Sequence, residues 1–334
     1  MARSVSSTRR ARRRRSLRCA LPHSPFDRWE IALLTGVVPP LVTPFTPSYD
    51  VDTASLARLV EYQLAGGVSG VFVLGTSGEG TFLSDEQRQV VLETVVGEVG
   101  GQVPVLAGVI DASTARVGAH ISAALKAGVD GLVATAPYYA ATHSAEIRRH
   151  FTRLAEVAGD VPLYAYDIPV RVGTKLPAPL MISLAKAGVI AGVKDSSGQE
   201  PSLRRLVMER RDAGLDGFAI MTGSEVSVDS ALAFGVDGVV PGLGNVDPAG
   251  YVRLYGARGE AARVEQERLI RLFEIVEVAD RGRMGASSAA LGAFKAALHL
   301  LGVIDCPIPA YPGIPLDDAE IAAIRPLLDR AGLH

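Results

Sequence analysis

From Gly36 onward the chain alternates short apolar runs with helical stretches, and it does so eight times. The runs begin near Val37, Gly70, Val103, Gly131, Val161, Val189, Gly217 and Asp237, and all but the last pair of starts are about 28–33 residues apart. Runs apolar on both faces, such as Gly70-Val71-Phe72-Val73-Leu74, are what parallel strands joined by crossover helices require, because helices cover both sides of such a sheet. The helical stretches carry their own signals. In the first, Leu56, Leu59, Val60 and Leu64 share one face between a capping Asp52 and the terminating pair Gly66-Gly67. The second opens with Ser84 and Gln87 at capping-box spacing. Eight strand–helix units predict an α/β fold of the (β/α)8 barrel type. The rival, a doubly wound open sheet, would place a Gly-rich phosphate loop after an early strand, and neither GxGxxG nor GxxxxGK[ST] occurs.

The barrel is expected to span residues 35–248. After about Asn245 the strand signal stops, and helical patterns over Tyr251–Val278, Ala286–Leu301 and Asp317–Ala331 predict a C-terminal helical region, 249–334, that serves packing or an oligomer surface. Residues 1–34 differ in kind. They carry nine arginines against Asp27 and Glu30, about +7, so the remainder is about −9 in a chain whose net charge is −2. An acidic body does not suit nucleic acid. The basic leader lacks the apolar stretch of ~7–15 residues that a secretory signal needs, and is read as a disordered or non-native extension. No apolar run approaches the ~18–20 residues of a membrane span, which predicts a soluble protein. Two cysteines, Cys19 and Cys306, provide neither a disulfide framework nor a CxxC site, and the six histidines show no HxxxH or HExxH spacing. A reducing, cytoplasmic setting without a bound metal is expected.

Lys194 closes a short apolar strand, Val189-Ile190-Ala191-Gly192-Val193, and an ammonium there is costly unless chemistry uses it. Of 34 lysines and arginines only five are lysines, so position 194 is not simply a place for positive charge. Unlike arginine, a partly desolvated lysine can lose its proton and attack a carbonyl to form a Schiff base. The competing reading is a strand-end lysine paired with Asp195. Other strand ends also carry chemistry. Gly75-Thr76-Ser77-Gly78-Glu79-Gly80 offers hydroxyls and free amides for a carboxylate. Pro137-Tyr138-Tyr139 follows the fourth strand. Tyr166 ends the fifth, and Arg171 lies in the loop beyond it, able to clamp a carboxylate. In a barrel all of these fall on the C-terminal rim. An amine, an anion cradle, a proton-transfer phenol and a second anion clamp together suit a 2-oxo acid.

These residues resemble the dihydrodipicolinate synthase / N-acetylneuraminate lyase family of Schiff-base-forming class I aldolases, over roughly residues 35–320. The likeness rests on Leu41-Val42-Thr43-Pro44-Phe45, Gly75-Thr76-Ser77-Gly78-Glu79 with Leu83-Ser84, Pro137-Tyr138-Tyr139, Tyr166 through Arg171 with Gly173, Val193-Lys194-Asp195, and Gly238-Val239-Val240 with Asn245. The resemblance implies a barrel with C-terminal helices, a homotetramer of two tight dimers, pyruvate and an aldehyde as substrates, and no metal or organic cofactor. It implies Lys194 as the Schiff-base lysine, Tyr166 as the proton relay and Thr76 with Ser77 as the hydroxyl pair. Tyr139 matches a tyrosine lent to the neighbouring subunit's site, and Arg171, Thr43 and Val240 fall at substrate-binding positions.

Substrate choice is less constrained. Arg171 favours a 4-hydroxy-tetrahydrodipicolinate synthase condensing pyruvate with aspartate semialdehyde. Against it, Gly223-Ser224-Glu225 replaces the Gly-Asp-Asp frequent in synthases and Pro241-Gly242 replaces their Ser-Val. The alternatives are a pyruvate-releasing aldolase or dehydratase of 2-keto-3-deoxy sugar acids, or an N-acetylneuraminate lyase-like enzyme, and, from another class, a non-catalytic 2-oxo acid binding barrel. Asp85, Arg88, Ala112 and Arg116 stand where bacterial synthases carry residues of lysine feedback, so strong lysine inhibition is not expected.

Overall fold

The computed structural model describes residues 34–334; the basic leader, apart from Leu34, lies outside the described residues. Eight strands, β1 (Gly36–Val37), β2 (Val71–Val73), β3 (Val105–Gly108), β4 (Gly131–Thr135), β5 (Leu163–Asp167), β6 (Gly192–Asp195), β7 (Ala219–Thr222) and β8 (Gly238–Val239), form one parallel sheet. Each pairs with its sequence neighbour from β2 to β8, and β8 pairs with β1. The last seam is closed just beyond β1: Pro40 bridges Phe72 in parallel, the Leu41 amide donates to the Phe72 carbonyl at 2.8 Å, and the Phe72 amide donates to Pro39 at 3.0 Å. The result is a closed (β/α)8 barrel.

Crossover helices form where the sequence places them. The first, α1 (Thr53–Ala65), starts at Asp52, whose carboxylate accepts from the Ser55 amide, and buries Leu56, Leu59 and Val60 while Leu64 is half-buried. The second, α2 (Asp85–Val99), opens with a complete Ser84–Gln87 capping box. After β3 and β4 come α3 (Thr114–Ala127) and α4 (Ser144–Ala158). Beyond β5 the chain makes a helical turn, α5 (Pro169–Val172), before α6 (Ala178–Lys186), so Arg171 sits in a short helix rather than the expected loop. Pro169 at its first position, with φ already fixed, favours that turn. Next come α7 (Glu200–Asp212) and α8 (Val228–Phe234).

The C-terminal region contains α9 (Pro248–Gly256), α10 (Gly259–Phe273), α11 (Ala286–Leu300) and α12 (Asp318–Ala331). The single helix expected over Tyr251–Val278 is therefore two helices and a final 3-10 turn. The break falls at Ala257-Arg258, flanked by two glycines, with Ala257 extended and Gly259 at φ +57°. Asn245, fully buried, knits the end of β8 to the segment after β1 by accepting from the Val42 amide and donating to the carbonyls of Pro40 and Gly242.

Candidate active site

The register of β5 and β6 sets the centre of the site. Tyr166 is paired with Lys194, and Asp167 with Asp195. Successive strand residues point to opposite faces. Tyr166 accordingly joins the interior cluster of Val38, Phe72, Met221 and Val240, while the Asp195 carboxylate is taken by Lys175 and by the amide and hydroxyl of Ser197. The expected alternative, a Lys194–Asp195 pair, is thus not formed. The Lys194 ammonium lies over two rings instead, 4.2 Å from the Tyr166 centroid and 5.0 Å from that of Phe72. Gly223 makes room for it: a Cβ there would stand 2.0 Å from the Ser196 hydroxyl and 3.2 Å from Lys194 Cε.

Burial alone would push the Tyr166 phenol up. The adjacent Lys194 ammonium and hydrogen bonds with Thr76, Lys194 and Ser196 outweigh that and hold it below the ordinary tyrosine value. The Thr76 and Tyr166 hydroxyl oxygens are 3.2 Å apart. Such a phenol is suited to moving protons beside the amine.

Thr76 belongs to a turn held from several sides. The Thr43 hydroxyl donates to the Gly78 carbonyl at 2.7 Å, Arg88 donates to the carbonyls of Gly80 and Gly108, and the Glu79 carboxylate is bound by Lys295 and by the Ala310 amide. Gly80 has to be glycine, because a Cβ would approach the Leu74 carbonyl to 2.2 Å. Among the described residues the backbone amides of Thr76 and Ser77 donate to no acceptor, which leaves them free for an anion. The turn separates its two hydroxyls. Thr76 faces Tyr166, and Ser77 faces Gly242, where an added Cβ would stand 3.4 Å from its hydroxyl oxygen. Thr43, 1% exposed, is engaged behind the turn rather than presented to the cavity, and Val240, also buried, is an apolar wall.

A cavity of about 180 Å³ opens beside Thr76, lined further by Ile110, Thr135, Tyr138, Ile168, Arg171 and Leu291. Arg171 has no ion-pair partner among the described residues, so its guanidinium is available to an anion. Tyr139 is not brought into this site. It is fully exposed with φ +77°, whereas Tyr138 lines the cavity.

Three contributors carried no clear signal in the sequence. The Thr135 hydroxyl lines the cavity and is buried without a hydrogen-bond partner among the described residues. Ser196 interacts with Tyr166. Glu225 was visible only as a departure from the Gly-Asp-Asp pattern; its carboxylate accepts from the amides of Gly242 (2.6 Å) and Leu243 (3.1 Å) and from the Tyr251 hydroxyl (3.2 Å). Burial pushes it up to about 7, against those hydrogen bonds and the Lys194 charge. Among the described residues no group of three or more His, Cys, Asp or Glu is arranged to hold a metal ion, and no helix is long and apolar enough to cross a membrane.

A family model described as the Dihydrodipicolinate synthetase family matches residues 33–331. An uncharacterized DapA-like lyase of Halobacterium salinarum is 36% identical over 301 residues, which is 90% of this chain and 95% of that protein. A 4-hydroxy-tetrahydrodipicolinate synthase of Methanoculleus marisnigri is 30% identical over 304 residues, 90% of this chain and 100% of that one. Among solved structures, the E. coli K12 prophage protein YagE, described as a member of the dihydrodipicolinic acid synthase family and solved in complex with pyruvate, superposes with a TM-score of 0.83. The two are 27% identical, with 91% of this chain and 100% of that one covered.

Proposed function

The chain belongs to the dihydrodipicolinate synthetase family, and from that premise we propose that this lyase of the class I aldolase type binds pyruvate as a Schiff base on Lys194 and joins it to an aldehyde. The observation that carries this reading is the chain of contacts from amine to phenol to hydroxyl: Lys194 lies 4.2 Å from the Tyr166 ring centroid, and Tyr166 reaches Thr76 at 3.2 Å. Neutral Lys194 attacks the ketone carbon of pyruvate. Tyr166 passes a proton to the departing oxygen, which leaves as water, and the imine remains. The free amides of Thr76 and Ser77 hold the carboxylate. Loss of a methyl proton from the imine gives an enamine, whose carbon attacks the aldehyde while the aldehyde oxygen takes up a proton. Exchange of the C–N bond to Lys194 for water or for an amine of the product returns the free lysine.

For the aldehyde we favour aspartate semialdehyde, making the chain a 4-hydroxy-tetrahydrodipicolinate synthase, because the Arg171 guanidinium lines the cavity with no ion-pair partner among the described residues and can take a distal carboxylate. The second reading is a pyruvate-releasing aldolase or dehydratase of 2-keto-3-deoxy sugar acids. It is favoured by the Thr135 hydroxyl, a polar group on the cavity wall without a hydrogen-bond partner among the described residues and suited to a substrate bearing hydroxyls. The first test is intact mass after borohydride treatment with pyruvate, followed by peptide mapping. A reduced adduct on Lys194 supports the imine; a folded protein that gains no mass refutes it. Turnover of aspartate semialdehyde against 2-keto-3-deoxy sugar acids then separates the two readings.

A further inference from the structure

We propose that Lys175 is a positioning residue for the Lys194 amine: its ammonium clamps two buried carboxylates behind β5 and β6 and offsets the negative charge they would otherwise place behind the reacting groups. The pairing that sets Tyr166 opposite Lys194 also sets Asp167 opposite Asp195, one residue on and on the outer face of the barrel. Asp167 is 2% exposed and Asp195 5%. Two carboxylates on adjacent strands, out of water, repel one another and force the strand ends apart unless a cation intervenes. Lys175, delivered by the segment between α5 and α6, is that cation. Its Nζ contacts the Asp167 carboxylate and stands 3.4 Å from Asp195 Oδ2. The remaining lone pairs are satisfied by the Leu176 amide on Asp167 (3.0 Å) and by Ser197 on Asp195.

The cluster holds two carboxylates and one ammonium, a net charge of −1, directly behind the strand ends that bear Tyr166 and Lys194. Changing that count changes how strongly the Lys194 ammonium is held relative to the neutral amine that attacks a carbonyl. Among the described residues the titratable groups acting on the amine are Tyr166 from β5 and Glu225 from the segment after β7; Arg171 of α5 lines the cavity beside Thr76, and Glu200 of α7 lines the groove beside Asp195. None of them is altered in the comparison below, so their influence is common to every protein compared.

The inference takes Lys194 to be the reacting amine, and its test reads that amine without a keto acid. Wild type, K175M, D195N and K175M/D195N are reductively methylated with formaldehyde and cyanoborohydride across a pH series, and modification of Lys194 is followed by peptide mass. K175M removes the ammonium and moves the cluster toward −2, so the pH of half-maximal modification rises, by up to about one unit; D195N leaves it neutral, so that pH falls by about one unit. The double variant has the wild-type count and returns to the wild-type value. Should K175M fail to fold, D195N lying below wild type and the double variant at wild type carry the same meaning. A purely structural clamp would lower melting temperatures without shifts of opposite sign, so the same half-point in all folded variants overturns the proposal. Borohydride trapping of pyruvate on the wild type, run alongside, reports separately: its failure would sink the keto acid reading and leave the charge result standing.

Discussion

Tyr166 and Lys194 occupy paired positions on neighbouring parallel strands, and the Lys194 ammonium stands over the Tyr166 ring rather than beside a carboxylate. The barrel backbone therefore sets the two side chains next to each other before any ligand arrives, and no rotation of a flexible loop is needed to assemble them. Placement of this kind lowers the reorganisation needed for reaction.

If the phenol relays protons during imine formation, Y166F will slow the appearance of a reduced pyruvate adduct by a factor on the order of 10²–10⁴. The adduct, once formed, will still map to Lys194, and K194A will give none. Rapid quenching with borohydride at a series of times measures the rate directly. An unchanged rate in Y166F would remove Tyr166 from the proton path.

Arg171 gives a prediction confined to the second substrate. With R171A the rate and extent of pyruvate trapping stay at wild-type levels, because the guanidinium belongs to the cavity wall and not to the turn that carries Thr76 and Ser77. For an aldehyde with a distal carboxylate, kcat/KM falls by about 10- to 100-fold, the worth of a charge-assisted hydrogen bond of about 1.5–3 kcal/mol. Steady-state kinetics with aspartate semialdehyde decide it. A variant that keeps wild-type kcat/KM with that aldehyde would show that Arg171 binds nothing in the reaction.

Much of this arrangement could be read from the chain before its fold was known. Parallel strands covered on both sides are continuous apolar runs, and the side-chain caps Asp52 and Ser84 mark helix starts by local chemistry alone. Lys194 stood out because a charge ending such a run is conspicuous. What stayed hidden depends on distance in sequence. Glu79 and Lys295, 216 residues apart, carry no mutual signal, and the contact of Lys175 with Asp167 and Asp195 exists only once two strands lie side by side. The break within Tyr251–Val278 was missed for a different reason: apolar periodicity runs on across a two-residue interruption, and only the glycines at 256 and 259 hint at it.

Glu225 should leave a mark on stability. Its carboxyl is raised from 4.5 to about 7 in the folded protein, chiefly by burial. Between those values the native state holds a proton that the unfolded chain has already released, so stability falls as pH rises through the window and levels off above about 7. E225Q lacks this group. Comparing urea unfolding of the two proteins from pH 4.5 to 8, the wild type will lose on the order of 3 kcal/mol more than the variant, at the rate of 1.36 kcal/mol per pKa unit. The difference isolates Glu225 from other titrating groups such as His150, which burial lowers to about 4 and which acts in the opposite sense, its contribution being lost as pH falls. Parallel curves for the two proteins would mean that Glu225 titrates normally.

Tyr139 projects fully into solvent on a left-handed backbone and touches nothing in its own cavity. If it serves a neighbouring subunit, Y139F and K194A will each be inactive or nearly so as pure oligomers. Co-expression of the two will then regain activity, because a mixed pair contains one site with an intact lysine and a neighbour's intact tyrosine. Activity of co-purified, differently tagged subunits is the measurement. No recovery in verified mixed oligomers would confine the Tyr139 side chain to its own subunit or to no catalytic part.

The turn bearing Thr76 and Ser77 hangs on an ion pair out of reach of water. Glu79, at φ +55°, and Lys295 of α11 are 2% and 0% exposed; Glu79 also binds the Ala310 amide, and Lys295 donates to the Ile308 carbonyl and lies 4.3 Å from the Phe45 ring centroid. Burial lowers the Lys295 ammonium, and the Glu79 carboxylate opposes that shift. Removing one partner strands the other charge, so K295M should destabilise the fold by about 3–5 kcal/mol. E79Q/K295M leaves no buried charge and should recover most of that loss, because a neutral amide can still accept from the Ala310 amide. The same comparison bears on chemistry. In the double variant the turn keeps Thr43, Arg88 and the Ala310 amide but loses its anchor on α11, so the rate of pyruvate trapping should fall although stability has returned. If urea midpoints show the double variant as unstable as K295M, the loss comes from packing around the Lys295 stem and not from the stranded charge.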